Sequence, residues 1–431
     1  MRQALGHYER SNMRILFLTQ FYPPEIGAAQ NRISDLAGRL AESDNIVTVL
    51  TALPSYPKGE VFEGYRGRFL VKDIEGGLRV LRVWSFTTKS KSFLPRLISY
   101  LSFALDAFLA GIWEAGRQDI IFVEMPPLFL GISGWLLSAC LRSYLVINVS
   151  DLWPESAIAL GVLRNRLLIR AATCLEEALY SKADFLTGQT QGIVDSIRSR
   201  GGGKHVELMP NGVNPEFLLS GSMKSGIRSR IQAEFGLSGK FVVGYTGLHG
   251  LAQGLSTVLE AAEILREHKD VVFAFFGDGP EKDSLRQVAV DKSLYNVRFF
   301  PVQPVSRMPE VFTALDVALI PLKNNVLFHG ALPSKLFEAM GAGVPVIVAI
   351  EGEARDLVQR SQCGLLVPPE NAAEIADAIL RLQADPKLCL SLGENGRTFV
   401  LRHHNRKDTA QKFRSLVMDR LELPRETKSH P

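Results

Sequence analysis

Apolar and polar positions follow two alternating rhythms along almost the whole chain. Short β-rich apolar runs recur at residues 14–19, 46–51, 78–84, 119–124, 144–149, 185–188 and 206–209. A second series follows at 241–245, 271–276, 297–300, 317–320, 344–350 and 364–367. Uninterrupted runs of this kind suit strands buried on both faces of a parallel sheet. Stretches with helical spacing lie between most of them, among them 31–42, 166–181, 255–267 and 372–384. Strand and helix in alternation predict an α/β fold, with helices covering both faces of parallel sheets.

The series breaks near 199–238, where a glycine triplet (201–203), Pro210-Asn-Gly212 and a Ser/Gly-rich stretch (220–229) gather. Such clusters punctuate chains between domains. The expected organisation is one doubly wound domain over 1–216, a second over 217–404, and a last helical stretch within 405–431 that crosses back to the first. Ligands are expected in a cleft between them, at the carboxyl ends of the strands. A length of 431 residues agrees, since it exceeds what one core usually serves. The first twelve residues are polar, show no signal-peptide pattern, and read as a disordered extension before a fold beginning at Met13. Cys140, Cys174, Cys363 and Cys389 form no zinc or CxxC spacing and suit a reducing cytosol.

The most informative segment is Gly330-Ala-Leu-Pro-Ser-Lys-Leu-Phe-Glu-Ala-Met-Gly-Ala-Gly-Val-Pro-Val-Ile347. Pro333-Ser334 supplies a helix start, with the Ser334 hydroxyl available as a cap. Leu336, Phe337 and Met340 have helical spacing, and Gly343 suits the left-handed residue that ends a helix. A helix start aimed from a parallel sheet presents bare N–H groups to a diphosphate. Glu338, about one turn in, suits the two hydroxyls of a ribose, or equally a plain complement to the helix dipole.

Taken together, the chain from Met13 to about Leu421 resembles the retaining GT-B glycosyltransferases of family 4. The resemblance rests on Phe21-Tyr-Pro-Pro-Glu-Ile-Gly27, Asp151-Leu-Trp-Pro-Glu-Ser156, Pro210-Asn-Gly-Val-Asn214, Gly277-Asp-Gly-Pro-Glu281 and Pro333-Ser-Lys-Leu-Phe-Glu-Ala-Met340, in that order. Within the family it looks most like the bacterial O-antigen and capsule branch that includes N-acetyl-fucosamine transferases. It implies two Rossmann-like domains, a nucleotide-sugar donor of the UDP type, a lipid-diphosphate-linked saccharide acceptor and no required cofactor or metal. The donor contacts it implies are Gly27, Gly247, His249, Gln253, Gly277, Val302, Leu332, Ser334, Lys335 and Glu338. Asp151, Lys335 and His329 are the catalytic candidates.

The chain departs from the family pattern at three places. Gly247-Leu-His-Gly-Leu-Ala-Gln-Gly254 offers Leu248, His249 and Gln253 where many relatives carry an Arg and a Lys for the diphosphate. That leaves Lys335, Lys323 and helix N–H groups to neutralise it, with Lys335 favoured by its place in the first turn. The first of the family's paired glutamates falls on Gly330, next to His329, which is placed to contact the donor sugar. Ser150-Asp151 replaces the common His-Asp, and Asp151 reads either as a reacting-centre group or as a helix cap. Without an Asp-x-Asp pair, charge stabilisation by Lys335 and N–H groups takes the place of a metal ion.

Residues 58–96 carry nine Lys or Arg against four acids, just before an apolar helix over 93–113. Its spacing predicts that Leu94, Leu97, Ile98, Leu101, Leu105, Phe108 and Ile112 are buried and that Tyr100 and Phe103 face outward. That combination suits either a core helix or an anionic membrane surface, placing the protein peripherally on the inner face of the cytoplasmic membrane. Arg96 and Asp106 argue against a spanning helix, and Met125 to Leu141 holds only 17 uncharged residues. A net charge of +4 and no groove-reading motif argue against nucleic acid. Two other functions remain open: a nucleotide-sugar epimerase of the same architecture, whose acid and His constellation is not seen, and a catalytically inactive sugar-nucleotide scaffold.

Overall fold

The computed structural model describes residues 12–90, 93–159, 161–201, 205–215 and 221–422. The chain divides into two compact units. One runs to Gln189 and includes Ile193–Met209 and the chain from Ala410; the other comprises Thr190–Gly192 and Pro210–Thr409. The boundary expected at 216/217 and the extension expected at 1–12, apart from Asn12, lie outside the described residues.

The first unit holds an eight-stranded sheet. Its strands are β1 (Arg14–Leu18), β2 (Ile46–Ala52), β3 (Leu70–Glu75), β4 (Leu78–Val83), β5 (Ile120–Met125), β6 (Tyr144–Val149), β7 (Phe185–Gly188) and β8 (Val206–Leu208). Their order is β3-β4-β2-β1-β5-β6-β7-β8, parallel throughout except that β3 pairs antiparallel with β4. The apolar rhythm does not find β3, and its pairing departs from the expected all-parallel sheet. Its side chains alternate Lys72, Asp73 and Glu75 with apolar residues, and Ile74 points to solvent, the composition of an edge that resists further pairing. Alternation along the inner strands splits the core in two. Leu16, Leu50, Val123 and Ile147 pack on one face, and Ile15, Phe17, Val49 and Phe122 on the other. The last helix, Arg406–Glu422, joins the second face, with Phe413 edge-on to Phe122 at 5.5 Å between ring centroids.

The helix Phe93–Glu114 departs from expectation on part of its face, although Phe108 and Ile112 pack against the core as expected. Phe103 is fully buried, with Ala104 and Ala107 beside it, whereas Leu94, Ile98, Leu101 and Leu105 are exposed. Both faces of this helix are apolar, so spacing alone does not choose between them. The choice falls to size: the face bearing Ala104, Ala107 and Gly111 lets the neighbouring helix Leu128–Leu141 approach closely. A Cβ on Gly111 would stand 2.7 Å from Leu137, and the Ser133 hydroxyl donates to the Ala104 carbonyl at 2.6 Å.

The second unit is a six-stranded, wholly parallel sheet. Its strands are β9 (Phe241–Thr246), β10 (Val271–Phe276), β11 (Val297–Phe300), β12 (Val317–Pro321), β13 (Val346–Ala349) and β14 (Gly364–Leu366), ordered β11-β10-β9-β12-β13-β14. The helix after β9, Leu255–Ile264, buries Leu255, Val258 and Leu259 on one face. The helix Ser334–Ala342, after β12, buries Leu336, Phe337 and Met340 on the other. Strand order therefore reverses between β9 and β12. At such a point the carboxyl-end loops part and leave room for a ligand.

Candidate active site

The second unit gathers most of the expected donor residues at that reversal. Lys335 occupies the first turn of the helix Ser334–Ala342. Its ammonium lies 3.8 Å from the centroid of the Tyr245 ring, at the end of β9. A Cβ on Gly247 would come within 3.4 Å of the same nitrogen, so Gly247 leaves the space that Lys335 fills. Tyr245 is itself fixed, donating its hydroxyl to the Leu248 carbonyl at 2.6 Å. Among the described residues no carboxylate pairs with the Lys335 ammonium, and burial pulls its pKa down to about 7, with Glu338 opposing that shift. A half-buried ammonium that lacks an acid partner is poised to gain one.

Glu338 is one turn further along and half-buried. Burial pushes its carboxyl above the ordinary range, against Arg406 and Lys335, which pull it down. The helix is capped by Pro333, which has no side-chain acceptor; Ser334 is already helical and does not cap as expected. The N–H groups of this end thus have no side chain bonded to them. Gly343 closes the helix with φ 65°, as its position suggested.

The loops after β9 and β10 are laced together through main chain. Gly247 N–H donates to the Phe276 carbonyl at 2.8 Å and His249 N–H to the Asp278 carbonyl at 2.8 Å. Gly277 has φ 149°, and a Cβ there would collide with the Gly247 carbonyl oxygen, so only glycine permits this approach. Lys282, almost fully buried, donates to the Gly277 and Phe300 carbonyls at 2.6 and 3.1 Å and ties in the loop after β11. Val302 is exposed just beyond that strand. Leu332 is half-buried against the core beside Phe328, and His329 is half-buried in the short turn Val326–Gly330. Gln253 folds back on Gly250, its buried amide oxygen without a partner among the described residues.

His249 departs from its expected role. Its side chain is wholly buried, boxed by Tyr245, Phe275 and Phe299, with ring centroids 5.7 to 6.2 Å away. Burial, with Lys282 and Lys335 nearby, pulls its pKa down to about 4, so it is a neutral core imidazole. What His249 gives the loop is main chain, not a ligand contact.

In the first unit Gly27 precedes the helix Ala28–Glu42 in extended conformation, φ 179°, which any residue adopts. A Cβ there would meet only the end of the Gln30 side chain, which would have to move aside. Asp151 follows β6, open on one side and crowded by protein on the others. That crowding raises its pKa, while the Ser156 hydroxyl and Leu152 N–H favour its charged form. The Ser156 hydroxyl, in the first turn of the helix Glu155–Ala159, also donates to the Leu152 carbonyl. Glu155 of the same motif is engaged by Arg200, which also holds the buried Glu176 at 2.7 Å.

A polar network unannounced by any motif links the ends of β5, β6 and β7. Arg32 pairs with Glu124 and donates to the Ser150 hydroxyl at 2.7 Å. Asn148 donates to Glu124 at 2.6 Å and accepts from Thr187 at 2.7 Å, and Ser150 donates to Glu124. It connects the helix after Gly27 to the residue before Asp151. Its one sequence signal is an acid, Glu124, inside the otherwise apolar run of β5.

Known proteins carry the same two halves. Residues 27–212 match the family described as "Glycosyl transferase 4-like domain", and residues 228–399 match "Glycosyl transferases group 1". This chain is a group 1 glycosyltransferase. The glycosyltransferase is 26% identical over 346 residues to the "Putative colanic acid biosynthesis glycosyl transferase WcaI" of Escherichia coli, covering 79% of this chain and 84% of that one. It is also 26% identical over 321 residues to the "Probable glycosyltransferase WbjE" of Pseudomonas aeruginosa, covering 70% and 75%. Among solved structures, HepE of Anabaena in complex with UDP-glucose superposes with a TM-score of 0.71 at 18% identity, covering 94% of the glycosyltransferase and all of HepE. At that identity the likeness is one of fold, which is GT-B. Among the described residues of the glycosyltransferase, no three His, Cys, Asp or Glu side chains cluster as a metal site would need.

Proposed function

We propose that the glycosyltransferase moves a sugar from a UDP-type donor to a lipid-diphosphate-linked saccharide, with retention, in the synthesis of a cell-surface polysaccharide. The observation that carries this reading is the pairing of Lys335 and Glu338 on one helix start. One offers an ammonium and the other a carboxylate, neither in a salt bridge among the described residues, at the point where the second sheet reverses its strand order. Lys335 and the uncapped N–H groups meet the diphosphate, and Glu338 accepts the ribose hydroxyls. Val302, Leu332, Ser334, Gly247, Gly277 and Gln253 shape the rest of the donor site, and His329 contacts the donor sugar. The name of one relative, a putative colanic acid biosynthesis glycosyl transferase, and the UDP-glucose complex of HepE support the choice of polysaccharide and of UDP.

In the reaction the bond between the anomeric carbon and the diphosphate oxygen breaks, and the acceptor hydroxyl attacks from the same side. Its proton passes to the departing diphosphate oxygen, giving UDP and the new glycoside. Lys335 and the helix N–H groups stabilise the charge that develops on the leaving group. Asp151, with the Gly27 loop, receives the acceptor in the first unit. An acceptor of this kind lies in a bilayer, and we place the enzyme peripherally on the inner face of the cytoplasmic membrane. Incubation with labelled sugar nucleotides and a lipid-diphosphate acceptor tests the reading. Transfer that persists in EDTA is expected. An altered free sugar nucleotide would point to an epimerase instead, and tight binding without turnover to a scaffold.

A further inference from the structure

The helix Glu353–Ser361 follows β13 and opens directly on an acid. The residue before it, Gly352, has φ 81°, and a Cβ there would collide with the His329 carbonyl oxygen. Only glycine permits that contact, which presses the loop after β13 against the turn Val326–Gly330 that follows β12. The two strands are parallel neighbours, so their carboxyl ends lie side by side. Glu353 is thereby carried to the same edge of the sheet as the helix that bears Lys335.

Two glycines clear the space around its carboxylate. A Cβ on Gly192 would stand 2.9 Å from Glu353 Oε1, and one on Gly330 would stand 3.8 Å from that oxygen and 3.8 Å from Thr190 Oγ1. Gly330 therefore faces a carboxylate and a hydroxyl with no side chain of its own to meet them. Thr190, Gly192, Gly330 and Glu353 all belong to the second unit. Main chain orients the carboxylate: Oε1 accepts the Gly192 N–H at 2.6 Å, and Oε2 accepts the Gln191 N–H at 3.1 Å. Among the described residues no salt bridge takes its charge, since Arg355 holds the neighbouring acid Glu351 at 3.4 Å. A carboxylate oxygen has two acceptor positions, so one on each oxygen is still open among the described residues.

The chemistry of this place selects its ligand. Like charge keeps a diphosphate away from Glu353 and leaves it to Lys335. Among the described residues no further acids or imidazoles gather here to hold a metal ion. Hydroxyl groups of a neutral sugar do fit, because they donate to the open acceptor positions. We infer that Glu353 accepts hydroxyl hydrogens of the donor sugar across the space that Gly330 leaves open, and so determines which sugar the transferase takes. The inference rests on the proposed donor site, where Lys335 takes the diphosphate and His329 meets the sugar. Held by main chain at both oxygens, the carboxylate is in place before the sugar arrives, and little ordering is lost on binding. A sugar without the matching hydroxyl leaves it unpaired and is rejected.

Calorimetry of the full chain with UDP, UDP-glucose, UDP-galactose and UDP-N-acetylglucosamine decides it. Glu353→Ala should weaken at least one of the sugar nucleotides by about tenfold or more, the loss expected for a hydrogen bond to a charged group, and leave the Kd for UDP unchanged. Glu353→Gln keeps one acceptor oxygen and should show a smaller loss of the same kind, even if the Ala variant does not fold. Gly330 lies outside the left-handed region, so its backbone admits a side chain. Gly330→Glu added to Glu353→Ala brings a carboxylate to the same space from its other wall and should restore part of the sugar-dependent affinity. A Glu353 that merely holds Gln191 and Gly192 would lower the melting temperature and move every Kd alike. Equal losses for UDP and its sugars, or no loss in any of them, overturn this assignment alone. A parent chain that binds neither UDP nor any of the sugar nucleotides overturns the donor site with it.

Discussion

The Lys335 ammonium sits against the face of Tyr245, 3.8 Å from the ring centroid, with Gly247 closing in at its side. The ring's negative face partly compensates a half-buried cation, but does not replace a carboxylate. On the proposed reading an anion completes the site, and the Lys335 proton is part of the binding equilibrium.

At neutral pH about half of the free protein holds Lys335 charged, since its pKa is about 7. A diphosphate selects the charged form, so binding takes up a proton, and UDP affinity should fall as pH rises above 7, by up to about tenfold per unit. Lys335→Arg, which cannot lose its proton, should flatten that dependence. Calorimetry from pH 6 to 8.5 in two buffers of different ionisation enthalpy reads both effects. A Kd independent of pH would remove Lys335 from the diphosphate. In folding the same shift has the opposite sense: between pH 7 and the ordinary lysine range only the unfolded chain holds the proton, so stability gains there as pH rises.

Glu338→Ala should weaken UDP binding by about ten- to a hundredfold, the loss expected for a hydrogen bond to a charged group. Glu338→Gln keeps one acceptor oxygen and should retain part of the affinity. An Ala variant that binds UDP as tightly as the parent chain would leave Glu338 only its place near the helix start.

Glu124 and Arg32 form a nearly buried pair, with side chains 4% and 13% exposed. Removing one partner strands the other's charge, and Glu124→Ala should cost about 3–5 kcal/mol in urea unfolding. Glu124→Gln removes the buried charge but keeps one acceptor oxygen, and so one of the bonds from Ser150 and Asn148, and should cost less. If the network also sets the chain ahead of Asp151, the Gln variant will lose turnover while its UDP affinity stays unchanged. Equal turnover in Gln variant and parent would confine the network to stability.

His249→Phe tests the aromatic box. In the folded protein the His249 pKa is about 4, against 6.5 when unfolded. Across that window only the unfolded chain binds the proton, so stability is lost as pH falls from 6.5 towards 4. Phenylalanine should make the melting temperature less sensitive to acid there without altering UDP affinity. A remainder belongs to His404, which burial beside Phe337 also brings to about 4. A sharp loss of UDP binding in His249→Phe would return the imidazole to the donor site.

By itself the sequence determined what depends on neighbours along the chain. Apolar runs placed all the parallel strands, because burial on both faces keeps most of their positions apolar. The segment Pro333 to Ile350 gave a helix closed at Gly343 and a strand after it, because turn and period are local properties. Tertiary structure decided whatever depends on a distant partner. Spacing shows that Phe93–Glu114 is apolar all round, but only the close approach of Leu137 to Gly111 selects its inner face. A lone His249 reads alike as ligand contact or core, until Phe275 and Phe299 close around it from two other strands. Arg32 and Glu124 stand 92 residues apart, and no local pattern couples them. Their pairing exists because parallel strands bring their carboxyl ends to one edge, where the fold gathers polar side chains that the sequence keeps apart.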